Sequence, residues 1–162
     1  MEDFRVGNGW DIHRLVLGRP LVLGGVSIPS DKGCEAHSDG DAVIHALIDA
    51  ILGAAALGDI GTHFPDTDAQ YKNIDSMVLL RRTLELVRSL GYRVVNADVT
   101  VVLQSPKLSM CKNKMSSCIA EALGVKPDCV SVKAKTAEHI LCELGSGDAV
   151  MACVVVLLGR CK

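Results

Sequence analysis

The run of residues 149–158 constrains the fold of this 162-residue chain more than any other stretch. It carries no charged residue, and its valines and leucines are typical of a buried β-strand. A strand that is apolar on both faces must be covered on both faces. Helices of a small domain would cover one face, so we expect another copy of the chain to cover the other.

Periodic stretches predict the remaining elements of a single α/β domain over residues 1–162. The expected fold has a mixed, mainly four-stranded sheet with helices on one face. Residues 29–35 are predicted to be a flexible approach to the first helix, and residues 141–148 to be irregular. Strands are predicted at 4–13, 92–104, 129–136 and 149–158, a hairpin at 20–28, and helices from 42 to about 57, from 75 to 90 and from 108 to 123.

Composition excludes several classes of function. The formal net charge is −2 and the basic residues are dispersed, which argues against nucleic-acid binding. Seven cysteines are scattered without a C-x-x-C pair, so neither a disulfide framework nor a zinc ribbon is indicated, and a reducing compartment is expected. No signal peptide or membrane-spanning run is found. We expect a cytoplasmic location in a bacterium, or a plastid location for a processed eukaryotic chain.

Residues 37–45 lead into a nearly all-apolar helical run. Asp41, His45 and Asp49 are spaced four apart, so in a helix they share one face. The start of a helix also presents free backbone N–H groups and the positive end of its dipole, which favour phosphate. We therefore expect a metal ligand beside a phosphate site here, although a lone helical histidine is more often structural.

Asp11 and His13 lie two residues apart in the first predicted strand, so their side chains point to the same face. A carboxylate and an imidazole on one strand suit a divalent cation, and His45 can supply a third ligand. Such a set leaves one position open, as in catalytic zinc sites. Asp11 and His13 alone would be an ordinary polar pair at a strand end, but the three residues together favour metal binding.

Three further places suit substrate or cation binding. The acidic segment 59–68 is typical of a solvated loop, although its carboxylates also suit sugar hydroxyls or a second cation. Lys107 follows a strand and can contact a phosphate or a base edge, although an exposed lysine is the commoner case. Thr136 and Glu138 lie at the exit of a strand, where open sheets place their chemistry.

Five motifs occur in order along the chain. They are Gly9-Trp10-Asp11-Ile12-His13-Arg14-Leu15, Ala36-His37-Ser38-Asp39-Gly40-Asp41 with His45, Gly58-Asp59-Ile60-Gly61, Phe64-Pro65-Asp66-Thr67-Asp68, and Val132-Lys133-Ala134-Lys135-Thr136 with Glu138. In this order and spacing, over essentially the whole chain, they resemble the 2-C-methyl-D-erythritol 2,4-cyclodiphosphate synthase family.

The resemblance implies a homotrimer of α/β subunits in the non-mevalonate isoprenoid pathway, with active sites between subunits. In the family's reaction, the 2-phosphate of 4-diphosphocytidyl-2-C-methyl-D-erythritol 2-phosphate attacks the β-phosphorus and expels CMP. Such an intramolecular reaction depends on positioning and charge neutralisation. The implied partners are further copies of the chain and a small cytidylyl substrate, with no nucleic acid and no membrane.

The resemblance also implies roles for individual residues. His37 and Thr136 would stabilise the transition state, Ser38 would join His37 at the methylerythritol phosphate, and Asp59 would bind sugar hydroxyls. The implied metal ligands are Asp11, His13 and His45 for Zn²⁺, and Glu138 for Mg²⁺ or Mn²⁺. Substrate contacts, some from the adjoining subunit, are implied for Asp11, Ile12, His13, His37, Ser38, Asp59, Ile60, Gly61, Phe64, Pro65, Asp66, Thr67, Asp68, Leu103, Gln104, Ser105, Pro106, Lys107, Leu108, Ser109, Ala134, Lys135, Thr136, Ala137 and Glu138.

Two stretches depart from the family pattern. Residues 142–146 read Cys-Glu-Leu-Gly-Ser where many members carry Phe and Arg, so the resemblance does not extend to the anion pocket that some members have on the subunit axis. Met110-Cys111 replaces a usual Pro-His pair, a change that we expect to leave activity intact. Two alternatives to a cyclising lyase are a zinc-dependent phosphoesterase and a non-catalytic trimeric binding protein.

Overall fold

The computed structural model describes residues 3–161, and a mixed five-stranded sheet forms its centre. The strands are β1 (Phe4–Leu17), β2 (Leu21–Leu23), β3 (Val26–Ile28), β4 (Lys32–Cys34), β5 (Tyr92–Leu103), β6 (Val130–Lys135) and β7 (Ala149–Arg160). Their order across the sheet is β4-β1-β7-β5-β6, and β5 and β6 run parallel while the other pairs are antiparallel. β2 and β3 form a separate hairpin.

Three long helices cover one face of this sheet: α1 (Ala42–Ala54), α3 (Ser76–Ser89) and α4 (Lys112–Leu123). Two single-turn helices, α2 (Ile60–His63) and α5 (Glu143–Ser146), lie in connecting segments, and Leu144 of α5 packs with Val102 and Met151. Alternate residues of the central strand β7, such as Val150 and Val154, are fully buried beneath the long helices. Within residues 3–161, no helix has the length and apolar character needed to cross a membrane.

Most predicted elements are confirmed to within a few residues, but three expectations are wrong. The sheet has five strands rather than four, because residues 29–35 are not a flexible approach and contain β4, which pairs with β1. The helix expected from residue 108 begins at Lys112, since residues 109–111 form a turn. The segment 141–148, expected to be irregular, contains the short helix α5.

β1 and α1 approach each other very closely because β1 has glycine where the helix crosses it. A Cβ atom at Gly7 would lie 1.9 Å from a backbone oxygen of α1, and one at Gly9 would lie 2.1 Å from another. No side chain fits into such a gap. Asp11 and His13 are the next two residues on the same face of the strand, so the close packing carries them alongside the helix.

Asp41 ties the hairpin to the start of α1 through a fully buried carboxylate. Its Oδ1 accepts hydrogen bonds from the backbone N–H groups of Gly24 (2.8 Å), Val43 (3.1 Å) and Ile44 (3.1 Å), and its Oδ2 accepts one from Gly25 (2.7 Å). Burial raises the pKa of Asp41 to about 6, although these backbone donors act against the shift. The residue is therefore the N-cap of α1 and a link to a second element.

The face of the sheet opposite the helices is apolar and open. On β1, Val6, Trp10 and Ile12 are 70%, 60% and 46% exposed, and on β7 Val155 is 44% exposed. The register pairs Trp10 with Cys153 of β7, so these side chains form one surface. We call it the open sheet face; it accounts for the second apolar side of residues 149–158.

Replacing Gly9 by alanine is expected to destabilise the protein by about 2 kcal/mol or more, because the added methyl group must push α1 away from β1. The free energy of unfolding in urea measures the effect. Gly53→Ala in α1 is the matched control, since no atom lies nearer than 3.9 Å to its added Cβ. That control should be neutral or stabilising by up to about 1 kcal/mol. Equal effects of the two changes would contradict the packing argument.

Candidate metal centre and adjoining pockets

Asp11, His13 and His45 converge although they come from a strand and a helix. Oδ2 of Asp11 lies 3.1 Å from Nδ1 of His13 and 3.0 Å from Nδ1 of His45. One ligand atom from each residue lies within 4.8 Å of the other two. The structure therefore brings together the three ligands that the sequence predicts, in a half-buried position at the junction of β1 and α1.

This spacing fits a single divalent cation. Ligand atoms about 2.0–2.2 Å from a tetrahedral ion are roughly 3.3 Å apart, close to the distances around Asp11 Oδ2. Nδ1 of His13 is buried, and although it lies 3.1 Å from Oδ2 of Asp11, it makes no well-aligned hydrogen bond with any residue that the structure describes. A cation bound between the two atoms would satisfy both of them. The donor set and its geometry thus fit a metal ion.

Asp11 and His45 each stabilise the charged form of the other. Burial acts to raise the pKa of Asp11, but the neighbouring rings of His13 and His45 outweigh it and hold that pKa below its usual value. Burial acts to lower the pKa of His45, but Asp11 outweighs it and the pKa is raised. The carboxylate is therefore ionised at neutral pH and draws positive charge to this position.

A pocket of about 420 Å³ opens beside the three residues, a volume in the range of small-molecule sites. His37 and Ser38 contribute polar groups to its wall, and Phe64 and Tyr71 contribute aromatic rings. These two rings meet edge to face with centroids 5.6 Å apart. We call this space the metal pocket; it can take a small polar ligand with an apolar part.

A second pocket, of about 450 Å³, lies at the far side of the sheet. We call it the β6 pocket, because it is lined by the end of β6 and the turn after it, including Thr136 and Glu138, together with Lys107. The strands β7 and β5 lie between β1 and β6, which places the two edges about 14 Å apart. The pockets share no lining residue. Within one chain, His37 and Thr136 are therefore not brought together.

The turn after β6 has an unusual backbone that other residues hold in place. Glu138 and His139 adopt positive φ angles of 50° and 60°, which side-chain-bearing residues rarely do. Oε1 of Gln104 accepts a hydrogen bond from the N–H of Ala137 (3.2 Å), and Nε2 of Gln104 lies 3.2 Å from Nε2 of His139. Thr136 donates its hydroxyl hydrogen to Glu138. Such strained turns cluster at functional sites.

The backbone N–H groups at the start of α1 are already capped, so the phosphate site expected here stays a prediction that depends on other donors. The side chain of Asp41 turns inward and accepts from the N–H groups of Val43 and Ile44, so these donors do not face the metal pocket. Asp49 accepts a hydrogen bond from the N–H of Ile60 (2.7 Å) and so positions α2. Of the three residues spaced four apart, only His45 belongs to the metal centre.

Two aspartates of the acidic segment 59–68 act as local caps. Asp59 accepts hydrogen bonds from the backbone N–H (2.9 Å) and the hydroxyl (2.8 Å) of Thr62 at the start of α2. Asp68 caps the short turn of residues 69–71. These bonds explain the carboxylates within the loop, and their contact with a ligand stays a prediction.

Sequence reasoning missed Ser76, which the fold places against the metal centre. Its hydroxyl oxygen lies 2.9 Å from Nε2 of His45, and Asp39 links it to the loop before α1. Ser76 follows Asp75, the N-cap of α3, and no local pattern separates it from an ordinary first residue of a helix. The contact depends on two helices that are distant in sequence.

The fold and this site define an α/β protein that has a candidate metal site and a small-molecule pocket beside it. A family model described as the YgbB family matches residues 4–159. The 2-C-methyl-D-erythritol 2,4-cyclodiphosphate synthase of Laribacter hongkongensis is 56% identical over 156 residues, which cover 96% of this chain and 96% of that protein. The protein of the same name from Methylococcus capsulatus is 55% identical over 157 residues, covering 97% and 99%.

A solved structure points the same way. A 2-C-methyl-D-erythritol 2,4-cyclodiphosphate synthase described as a CDP-bound form matches with a TM-score of 0.88 at 41% identity, covering 95% of this chain and 99% of that chain. This chain therefore belongs to the YgbB family, the family of the 2-C-methyl-D-erythritol 2,4-cyclodiphosphate synthases. The resemblance found in its motifs is confirmed.

Replacing His45 by alanine should weaken zinc binding by about 100-fold or more, because a direct ligand is lost. Isothermal titration with zinc measures the affinity. His63→Ala is the matched control, because His63 is also half-buried but its Nε2 bonds to the backbone oxygen of Leu57 at 2.9 Å. That variant should bind zinc like the unaltered protein. Unchanged affinity in His45→Ala would rule out the proposed ligand set.

Proposed function

We infer that this chain catalyses the reaction for which its relatives are named, the formation of 2-C-methyl-D-erythritol 2,4-cyclodiphosphate, as a lyase of the non-mevalonate isoprenoid pathway. The observation that carries this conclusion is the convergence of Asp11, His13 and His45 in a chain that is more than half identical to these enzymes over nearly its whole length. Because the bacterial relatives are so similar, we expect a bacterial form to act in the cytoplasm.

The proposed substrate is 4-diphosphocytidyl-2-C-methyl-D-erythritol 2-phosphate. An oxygen of its 2-phosphate forms a bond to the β-phosphorus, the bond from that phosphorus to the bridging oxygen of the α-phosphate breaks, and CMP leaves with the electron pair. Attacking and leaving groups belong to one molecule, so the protein supplies position and positive charge rather than a nucleophile. The metal pocket, which is lined by His13, His37 and His45, suits that task.

We propose that Asp11, His13 and His45 hold Zn²⁺, because one carboxylate and two imidazoles suit this ion and leave a fourth position open. Bound there, zinc would act as a Lewis acid on a phosphate oxygen. Glu138 would help to hold a second, harder cation, Mg²⁺ or Mn²⁺, for which carboxylate oxygens are the preferred ligands.

The polar wall of the metal pocket would position the substrate. His37 is exposed at the pocket, while Ser38 is 8% exposed within its wall, so a phosphate between them meets an imidazole and a hydroxyl donor. Asp59 would accept hydrogen bonds from the sugar hydroxyls. Thr136 would donate to the phosphate oxygens as charge develops in the transition state.

The cytidylyl part of the substrate would occupy the β6 pocket. Lys107, Lys112 and Lys135 line it and supply positive charge for the nucleotide phosphate, and the backbone around Ala134 offers donors and acceptors to the base. The CDP-bound relative supports a ligand of this chemistry.

We propose that the active site forms between subunits of a homotrimer. The strands β1 and β6, beside which the metal pocket and the β6 pocket lie, are about 14 Å apart in one chain, and this separation favours a second pocket that is supplied by a neighbouring copy. The open sheet face, with Trp10 at 60% exposure, supplies an apolar surface through which copies can pack. The apolar character of residues 149–158 on both sides supports the same assembly.

An assay with the cytidylyl substrate separates this function from its alternatives. We expect equimolar CMP and cyclodiphosphate, detected by ³¹P nuclear magnetic resonance, and loss of both products in His45→Ala. A linear phosphate product would identify a phosphoesterase, because a water would then have replaced the 2-phosphate as nucleophile. Binding without turnover would identify the non-catalytic alternative.

Mixing two inactive variants tests the inter-subunit site. His45→Ala disables the metal pocket, and Thr136→Ala with Glu138→Gln disables the β6 pocket. After unfolding and refolding together, random trimers should regain activity in about a quarter of their sites, because that fraction combines an intact pocket of each kind. Each variant refolded alone is the control. Absence of any regain in mixed trimers would place the whole site within one chain.

A further inference from the structure

We propose that Asp39 and Ser76 are positioning residues that hold His45 in the tautomer whose Nδ1 lone pair faces the metal position. Both lie outside the ligand set, and Ser76 belongs to α3, a helix to which the proposed function assigns no role. The proposal rests on the proposed metal site and deepens it. It follows from which atom donates and which accepts in the hydrogen bonds that link Asp39, Ser76 and His45.

This series of hydrogen bonds begins at the ionised carboxylate of Asp39, which can only accept hydrogen bonds. Oγ of Ser76 lies 2.5 Å from Oδ1 of Asp39, and the backbone N–H of Ser76 donates to Oδ2 of Asp39 at 3.1 Å. A serine hydroxyl has one hydrogen. The Ser76 hydroxyl therefore gives its hydrogen to Asp39 and faces every other partner as an acceptor.

That direction decides the protonation of the His45 ring. Nε2 of His45 lies 2.9 Å from Oγ of Ser76. Because this oxygen can only accept here, Nε2 must carry the hydrogen. In a neutral imidazole the other nitrogen is then an acceptor, so the lone pair is on Nδ1, which lies 3.0 Å from Oδ2 of Asp11. Two acceptors this close repel each other unless a proton or a metal ion lies between them, so the Nε2–H form leaves this position to a cation.

The network is rigid enough to impose this choice. Ser76 is fully buried, and Oδ1 of Asp39 also accepts a hydrogen bond from the backbone N–H of Asp41 at 3.2 Å. Three elements thus meet: the loop before α1, the first residue of α3, and His45 on α1. Metal-binding histidines commonly have their second nitrogen held by such a partner, which sets the ring orientation and raises affinity.

Because Nε2 of His45 is a donor, the hydrogen bonding of the Ser38 hydroxyl is determined as well. Its oxygen lies 3.2 Å from Nε2 of His45 and accepts a hydrogen bond from the N–H of Gly40 at 3.1 Å. With Nε2 as a donor that Ser38 and Ser76 share, the Ser38 hydroxyl cannot give its hydrogen to His45, and that hydrogen is available to a ligand in the metal pocket. The Asp39–Ser76 pair therefore controls a substrate-binding donor as well as a metal ligand.

The test changes the network and reads the tautomer without any metal. Ser76→Ala removes the hydroxyl but keeps the backbone bond to Asp39. Asp39→Asn keeps the shape but offers an amide donor, so the Ser76 hydroxyl can turn and donate to His45. In metal-free protein at a pH where the ring is neutral, ¹⁵N resonances of His45 should show the Nε2–H form in the unaltered chain and a shift toward Nδ1–H in both variants.

Zinc affinity, measured by competition with a chelator, should fall about 10- to 100-fold in both variants. Thr83→Val is the matched control, because Thr83 is another fully buried hydroxyl of α3 and bonds only to the backbone oxygen of Leu79 at 3.0 Å. It should lower stability and leave both zinc affinity and the His45 resonances unchanged. Ser76→Thr, which keeps the hydroxyl, should restore the Nε2–H form.

An unchanged tautomer and an unchanged zinc affinity in Ser76→Ala would overturn the proposal. So would an equal loss of zinc affinity in Thr83→Val, since the effect would then follow from stability alone. If the unaltered chain bound no zinc, the proposed metal site would fail. The tautomer of the metal-free protein would still decide whether Asp39 and Ser76 direct His45.

Discussion

The structure depends on the close contact between β1 and α1. Gly7 and Gly9 remove the side chains that would separate the strand from the helix, and the backbones approach to a distance at which a single methyl group is too large. The next residues on that face, Asp11 and His13, then meet His45 from the helix. The positions of the candidate ligand atoms, which must lie a few ångströms apart, are thus set by glycines that carry no ligand themselves.

The polar residues at the start of α1 and within it are spaced four residues apart, but their surroundings give them different roles. Asp41 is fully buried among backbone donors and links the hairpin to the helix. Asp49 holds the start of α2. His45, between them, has Asp11 on one ring nitrogen and Ser76 on the other. Each group is paired, because an unpaired polar group in such an apolar helix would cost about 1–3 kcal/mol.

The distribution of the pockets connects the chemistry to the assembly. The metal pocket and the β6 pocket lie on opposite sides of β7 and β5, and no motion of a packed sheet brings them together. The open sheet face, which α1, α3 and α4 leave uncovered, is an exposed apolar surface. Catalysis between subunits would thus use the same apolar strand, β7, that organises the fold of each subunit.

The sequence by itself determined the α/β class, most element positions, the family and the three candidate metal ligands, because alternating and helical periodicities and the spacing of Asp11 and His13 are local properties. Only the tertiary structure decided that Asp41 faces the hairpin, that residues 32–34 form a fifth strand, and that Ser76 contacts His45. These features depend on contacts between segments that are far apart in the chain. An aspartate at the start of a helix gives the same sequence pattern whether the first N–H groups bind a ligand or the side chain of that aspartate.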